Sequence, residues 1–122
     1  MLRNMFKSKL HRATVTDANL NYEGSITIDK SLLEASGILE FERVDIWNVT
    51  NGARFSTYVL EGRAGSGEIC LNGAAARHVQ IGDKVIIATF GLFDEKELEG
   101  FKPVVIQLDD KNRIIDKNSG LV

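Results

Sequence analysis

The sequence predicts a mainly β domain closed into a barrel, and three observations carry that prediction. Short runs rich in β-branched residues recur along the chain. One of them, Ser25-Ile26-Thr27-Ile28, alternates polar and apolar at the period of a strand. Turn signals separate the runs, and Asn51-Gly52 is the strongest, because both residues tolerate the positive φ of a tight hairpin. Only two stretches read as helical, and both are short. Many short strands expose many edges, and closing the sheet on itself removes them.

Taken in order, Lys9 to Thr16 carries enough β-branched residues to pair as a strand, and Ser25 to Ile28 follows after a polar turn. Asp29 is placed to cap a helix over Lys30 to Ser36, which Gly37 ends. Val44 to Val49 is the next strand, and a two-residue hairpin at Asn51-Gly52 returns it along Phe55 to Leu60. Glu68 to Leu71 is a short strand. Asn72 then caps a brief helical turn over Ala74 to His78. Lys84 to Phe90 reads as a well-buried strand, and Val104 to Leu108 as a last one before a turn at Asp109-Asp110-Lys111-Asn112.

A chain of 122 residues supports one domain with a modest core. The formal charge of -2 gives no broad attraction to nucleic acid. No stretch approaches the roughly 20 apolar residues of a membrane span, and no apolar run follows the basic residues near Met1 as a secretory signal requires. One cysteine, Cys70, cannot form an intrachain disulfide and reads as a small buried hydrophobe. Together these features fit the cytoplasm. Two histidines and that cysteine lack metal-ligand spacing, so no metal is expected. Gly62, Gly65 and Gly67 lack the strand-to-helix setting of a phosphate loop.

The chemistry-bearing stretch is Tyr22-Glu23-Gly24-Ser25. A serine after glycine can turn its hydroxyl on the preceding carbonyl, since glycine has no Cβ to crowd the approach and adopts backbone angles other residues avoid. By the pair alone a structural turn is the simpler reading, as for Gly65-Ser66 in the same chain. Lys9 and His11, two apart on one strand, share a face, and so do Arg54 and Tyr58. Arg54 offers a planar fork for a carboxylate, though a lone arginine after a hairpin is more often a surface ion-pair partner. Thr57 points the opposite way unless its strand is bulged.

An ordered set of motifs extends that stretch: Lys7-Ser8-Lys9-Leu10-His11-Arg12-Ala13-Thr14-Val15-Thr16, Asn19 to Asp29, Ile46-Trp47-Asn48-Val49-Thr50-Asn51-Gly52, Arg54-Phe55-Ser56-Thr57-Tyr58, and Leu71-Asn72-Gly73-Ala74-Ala75-Ala76. The set resembles the bacterial aspartate 1-decarboxylases, from Met1 to about Phe90, while the tail from Gly91 matches only loosely. The resemblance implies a double-psi β-barrel with two or three short helices. It also implies cleavage between Gly24 and Ser25 into chains 1–24 and 25–122, with Ser25 becoming a pyruvoyl cofactor. That cofactor would form a Schiff base with L-aspartate and release carbon dioxide and β-alanine for pantothenate and coenzyme A synthesis.

Residue by residue, the resemblance assigns Tyr58 as proton donor. Lys9 and Arg54 hold substrate carboxylates, and Thr57 assists self-processing beside the substrate. Asn72, Gly73, Ala74 and Ala75 supply donors around the cofactor carbonyl. His11, Tyr22 and Trp47 support the site. The family further implies a homotetramer with sites between neighbouring subunits, and leaves room for a helper protein in maturation. A non-catalytic β-barrel binding module, with Gly24-Ser25 as a plain turn, is the other reading the residues allow.

Overall fold

Alternation along each strand decides which side is buried. Ile26 and Ile28 on one strand face Leu71 and Ile69 on its neighbour, and all four are shielded from solvent. Val44, Ile46, Val59, Val85 and Ile87 extend the same interior, closed at one side by Leu10 and Ile106. Each such side chain contributes about 1.5–3 kcal/mol relative to leaving it in water.

The computed structural model describes residues 1–118. Its strands are β1 (Leu2–Thr14), β2 (Asp17–Asn19), β3 (Ser25–Asp29), β4 (Arg43–Asn48), β5 (Arg54–Gly62), β6 (Ile69–Asn72), β7 (Lys84–Asp94), β8 (Val104–Leu108) and β9 (Ile114–Lys117). One helix, α1 (Lys30–Ser36), follows β3, and 3-10 turns span Gly73–His78 and Glu95–Leu98. The sheet order is β2-β6-β3-β5-β4-β7-β1-β8-β9. Since β1 runs into β2 through Val15 and Thr16, the order returns to its start and the wall closes. Val15 N–H donates to Asp83 O and Thr16 N–H to Ile69 O at that seam. Three parallel pairs, β1 with β8, β2 with β6 and β3 with β5, sit among antiparallel ones, the mixed pairing expected of a double-psi β-barrel.

The helix forms as its ends predict. The Asp29 carboxylate accepts from Ser31 N at 2.7 Å, and Gly37, at φ 77°, closes the last turn on Leu33 O. The hairpin differs from expectation. The connection from Asn48 to Arg54 is longer than two residues, because the Asn48 side chain accepts from both Thr50 N and Asn51 N and organises a wider loop. β1 starts at Leu2 rather than Lys9, and β2 and β9 are further strands too short to signal themselves. The tail is part of the barrel, with β8 beside β1 and Ile106 fully buried.

Asp29 ties the wall to the 65–67 turn, accepting also from Gly65 N and Gly67 N. Burial opposes its ionisation, but the backbone donors outweigh it and hold the carboxyl below its ordinary range. A depressed folded pKa stabilises fully above the unfolded value of about 3.9, and the effect is lost as pH falls through the folded pKa. Asp29→Asn should therefore be less stable than the parent at pH 7, by about 1–3 kcal/mol. Denaturant titrations should show the gap closing at acid pH.

Candidate active site

Strand register places Ser25, Thr27, Cys70 and Asn72 on one outer face of the barrel. Ser25 lies opposite Asn72, and Thr27 opposite Cys70, across the antiparallel β3–β6 ladder. Directly paired residues share a face. On the other side of β3, Ile26 is level with Val59. Extending that register back sets Tyr58 beside Ser25, on the same face, and Thr57 beside Gly24.

The centre of this face is built around the Ser25 hydroxyl, which is fully buried. Ser25 Oγ donates to Glu23 O at 3.1 Å and accepts from Asn72 Nδ2 at 3.0 Å. The same amide donates to Thr27 Oγ1 at 3.1 Å, and the Cys70 thiol donates to Asn72 Oδ1 at 3.2 Å. Asn72 is therefore not the expected helix cap. It makes no capping bond, because its side chain is committed to the serine, and the residues after it form a 3-10 turn.

Gly73 roofs this group. Its φ is 63°, and a Cβ there would lie 2.6 Å from Gly24 Cα and N and 2.9 Å from Tyr22 O. The glycine that the backbone demands is thus Gly73. Gly24 has no positive φ, and a Cβ on it would meet nothing within 4 Å. Gly73→Ala should push the 22–24 segment off its seat, slow any chemistry at Gly24-Ser25 and destabilise the chain by about 1–3 kcal/mol. Thermal unfolding and intact mass would report the two effects separately.

Along the barrel wall, Lys9, Ala88, Asp45 and Ser56 form one lateral row. Ser56 shares its face with Arg54 and Tyr58. Arg54 is exposed, with its guanidinium over the Trp47 ring at 4.9 Å, so Trp47 acts as a platform for it. The β4–β5 register runs without a shift from Arg43 to Arg54, so no bulge turns Thr57 onto the face of Arg54 and Tyr58. Thr57 instead shares the side of Val59, opposite Val44 on β4 and level with Gly24.

Lys9 and His11 stand on β1, four strands from β3. Lys9 Nζ lies 5.7 Å from the Phe6 ring centroid. Burial, then the charges of Lys9 and Arg12, lower the His11 pKa, and its Nδ1 is buried without a partner among the described residues. Tyr22 is exposed on the loop before Gly24, Ala74 is exposed and Ala75 buried in the 3-10 turn. A cavity of about 330 Å³ opens between Asn4, Arg43, Asp45, Ala88 and Phe90, next to the Lys9 row. Sequence reasoning missed Thr27 and Cys70, although their spacing from Ser25 and Asn72, two residues along each strand, was the available signal.

The family model described as aspartate decarboxylase matches residues 1–115, past Phe90 and into the tail whose likeness was loose. The chain is 62% identical to the aspartate 1-decarboxylase of Heliobacterium modesticaldum, over 94% of this chain and 87% of that one. It is 58% identical to that of Stenotrophomonas maltophilia, over 94% of this chain and 91% of the relative. For Burkholderia lata the identity is 60%, over 93% and 90%. Among solved structures, the rationally designed mkDPBB_sym_86 protein aligns at 16% identity with a TM-score of 0.47, over 65% of this chain and 91% of that one. The chain belongs to the aspartate decarboxylase family, and with it to the carboxy-lyases.

Proposed function

We propose that the chain cleaves its own Gly24–Ser25 bond, converts Ser25 into a pyruvoyl group, and uses it to decarboxylate L-aspartate to β-alanine. The observation that carries this reading is the buried Ser25 hydroxyl, held between Asn72 Nδ2 and Glu23 O on the residue whose nitrogen is bonded to the Gly24 carbonyl carbon. In the first step Ser25 Oγ bonds to the Gly24 carbonyl carbon and the Gly24–Ser25 C–N bond breaks. The hydroxyl proton ends on the Ser25 nitrogen, leaving an ester and an amine. Loss of the Ser25 Cα proton then expels the Gly24 carboxylate and leaves dehydroalanine. Its imine tautomer takes up water and releases ammonia.

Asn72 Nδ2 donates to Ser25 Oγ before cleavage. Once that oxygen leaves with the Gly24 carboxylate, the amide would be free to donate to a carbonyl oxygen on the same residue, as an oxyanion-type donor would. When present, the pyruvoyl carbonyl supplies an electrophile for the substrate amine and a sink for the electrons left by the departing carboxylate. The chain's own residues do the rest. Arg54, steadied on Trp47, takes a substrate carboxylate through two N–H groups. Tyr58, beside Ser25 by register, delivers a proton to the substrate Cα. Thr57, next to Gly24, assists the cleavage step, Tyr22 borders the site, and His11 comes to it with Lys9 from a neighbouring copy.

Lys9 stands four strands along the sheet from Ser25, and a neighbouring copy is assigned to bring the two together, in keeping with a homotetramer. The exposed Leu2, Phe90 and Leu92 on the β1–β7 ribbon offer apolar surface for that contact. The product would supply pantothenate and coenzyme A synthesis in the cytoplasm.

Incubation with L-aspartate tests the reading: β-alanine and carbon dioxide should form in equal amounts. Arg54→Lys keeps the charge but loses the fork. One charge-assisted hydrogen bond, about 1.5–3 kcal/mol, predicts a roughly ten- to hundredfold fall in kcat/KM. Parent-like turnover by Arg54→Lys would make Arg54 a surface residue.

A further inference from the structure

β6 sets Cys70 and Asn72 two residues apart on the face that Ser25 and Thr27 share across the ladder. Every polar atom of the Asn72 side chain is engaged. Its two amide hydrogens go to Ser25 Oγ and Thr27 Oγ1, and its oxygen accepts from Cys70 Sγ. Because Asn72 already donates to Ser25 Oγ, the serine's own proton is left to point at Glu23 O.

Rotating the amide by half a turn would reverse this. A carbonyl would then face both hydroxyls, and the Ser25 proton would turn to Asn72. A hydroxyl accepts either end of an amide equally well, since it both donates and accepts. Neither Ser25 nor Thr27 can therefore choose between the two orientations. The thiol at position 70 biases the choice, because its proton meets the oxygen end and its sulfur is only a weak acceptor for the NH₂ end. Burial, with Asp17 and Glu68 nearby, pushes the thiol pKa up to about 11, so the sulfur keeps its proton at neutral pH.

We propose that Cys70 is a positioning residue for self-cleavage: its S–H fixes the Asn72 amide with the NH₂ toward Ser25, and so sets the direction of the attacking hydroxyl. This rests on the self-cleavage reading above. The thiol itself forms and breaks no covalent bond. Its hydrogen bond acts before the serine oxygen joins the Gly24 carbon.

Pulse-labelled full-length chains, followed by gel and intact mass, separate this role from packing. Cys70→Ala and Cys70→Val remove the donor and should slow appearance of the 25–122 piece by roughly five- to tenfold. Cys70→Ser restores a donor of similar size, though its hydroxyl also accepts N–H, and should cleave faster than Cys70→Val and no faster than the parent. A packing role predicts the opposite order, with apolar valine above polar serine. Thermal unfolding of the same substitutions in an uncleavable Ser25→Ala chain shows whether each variant folds. Parent-rate cleavage by Cys70→Val, or serine as slow as valine in folded chains, would overturn the proposal. A parent chain that stays whole would sink the self-cleavage reading itself, which is a different result from parent-like Cys70 variants.

Discussion

A Ser25→Ala chain should remain one piece of 122 residues and make no β-alanine from L-aspartate. The substitution deletes the single oxygen that the proposed cleavage uses, and nothing else on the face can replace it. Thr27, the next hydroxyl along β3, has no carbonyl of Gly24 adjacent to it. The fold should survive, since Ile26 and Ile28 keep their places in the core. Asn72 keeps its bonds to Thr27 and Cys70 and loses one partner, a cost of about 1 kcal/mol. Two pieces from Ser25→Ala would refute the mechanism.

Tyr58→Phe should separate making the cofactor from using it. The ring and its packing remain, and the Ser25 cluster is untouched, so cleavage should proceed. Turnover should fall on the order of 100-fold or more, because the proton that replaces carbon dioxide has lost its donor. Borohydride reduction in the presence of aspartate should still attach substrate carbon to the 25–122 piece. An uncleaved Tyr58→Phe chain would move Tyr58 into the processing step. Full activity would pass the proton to water or to Tyr22, which lies exposed on the loop before Gly24.

Much of the barrel was legible in local pattern. β3, α1 and β4 follow from alternation, the Asp29 cap and the Gly37 stop, all of which act within a few residues. β2 and β9 were not legible, because such short, largely exposed strands carry little alternation, and the partner of β2 lies far away in sequence. The tail carried no family motif beyond a readable strand at Val104 to Leu108, and Ile106 on that strand completes the core.

The site divides the same way. The Gly24-Ser25 pair and the Arg54–Tyr58 face were readable, since a two-residue period fixes them. Asn72 was expected both as a helix cap and, by the resemblance, as a donor around the cofactor carbonyl. No capping bond forms, because β6 pairs with β3 and turns the amide onto Ser25. That long-range pairing also gives Cys70 its partner and makes Gly73, rather than Gly24, the glycine that the backbone demands.

The most direct test of the account is the intact mass of the purified parent protein under denaturing conditions. Two masses should appear, residues 1–24 and residues 25–122, with the larger piece blocked at its amino terminus and reactive toward a carbonyl reagent. Under native conditions the two should travel together, since 24 residues are too few to fold alone. A single mass for all 122 residues, with no carbonyl reactivity in a protein that nonetheless releases β-alanine from aspartate, would contradict the central claim.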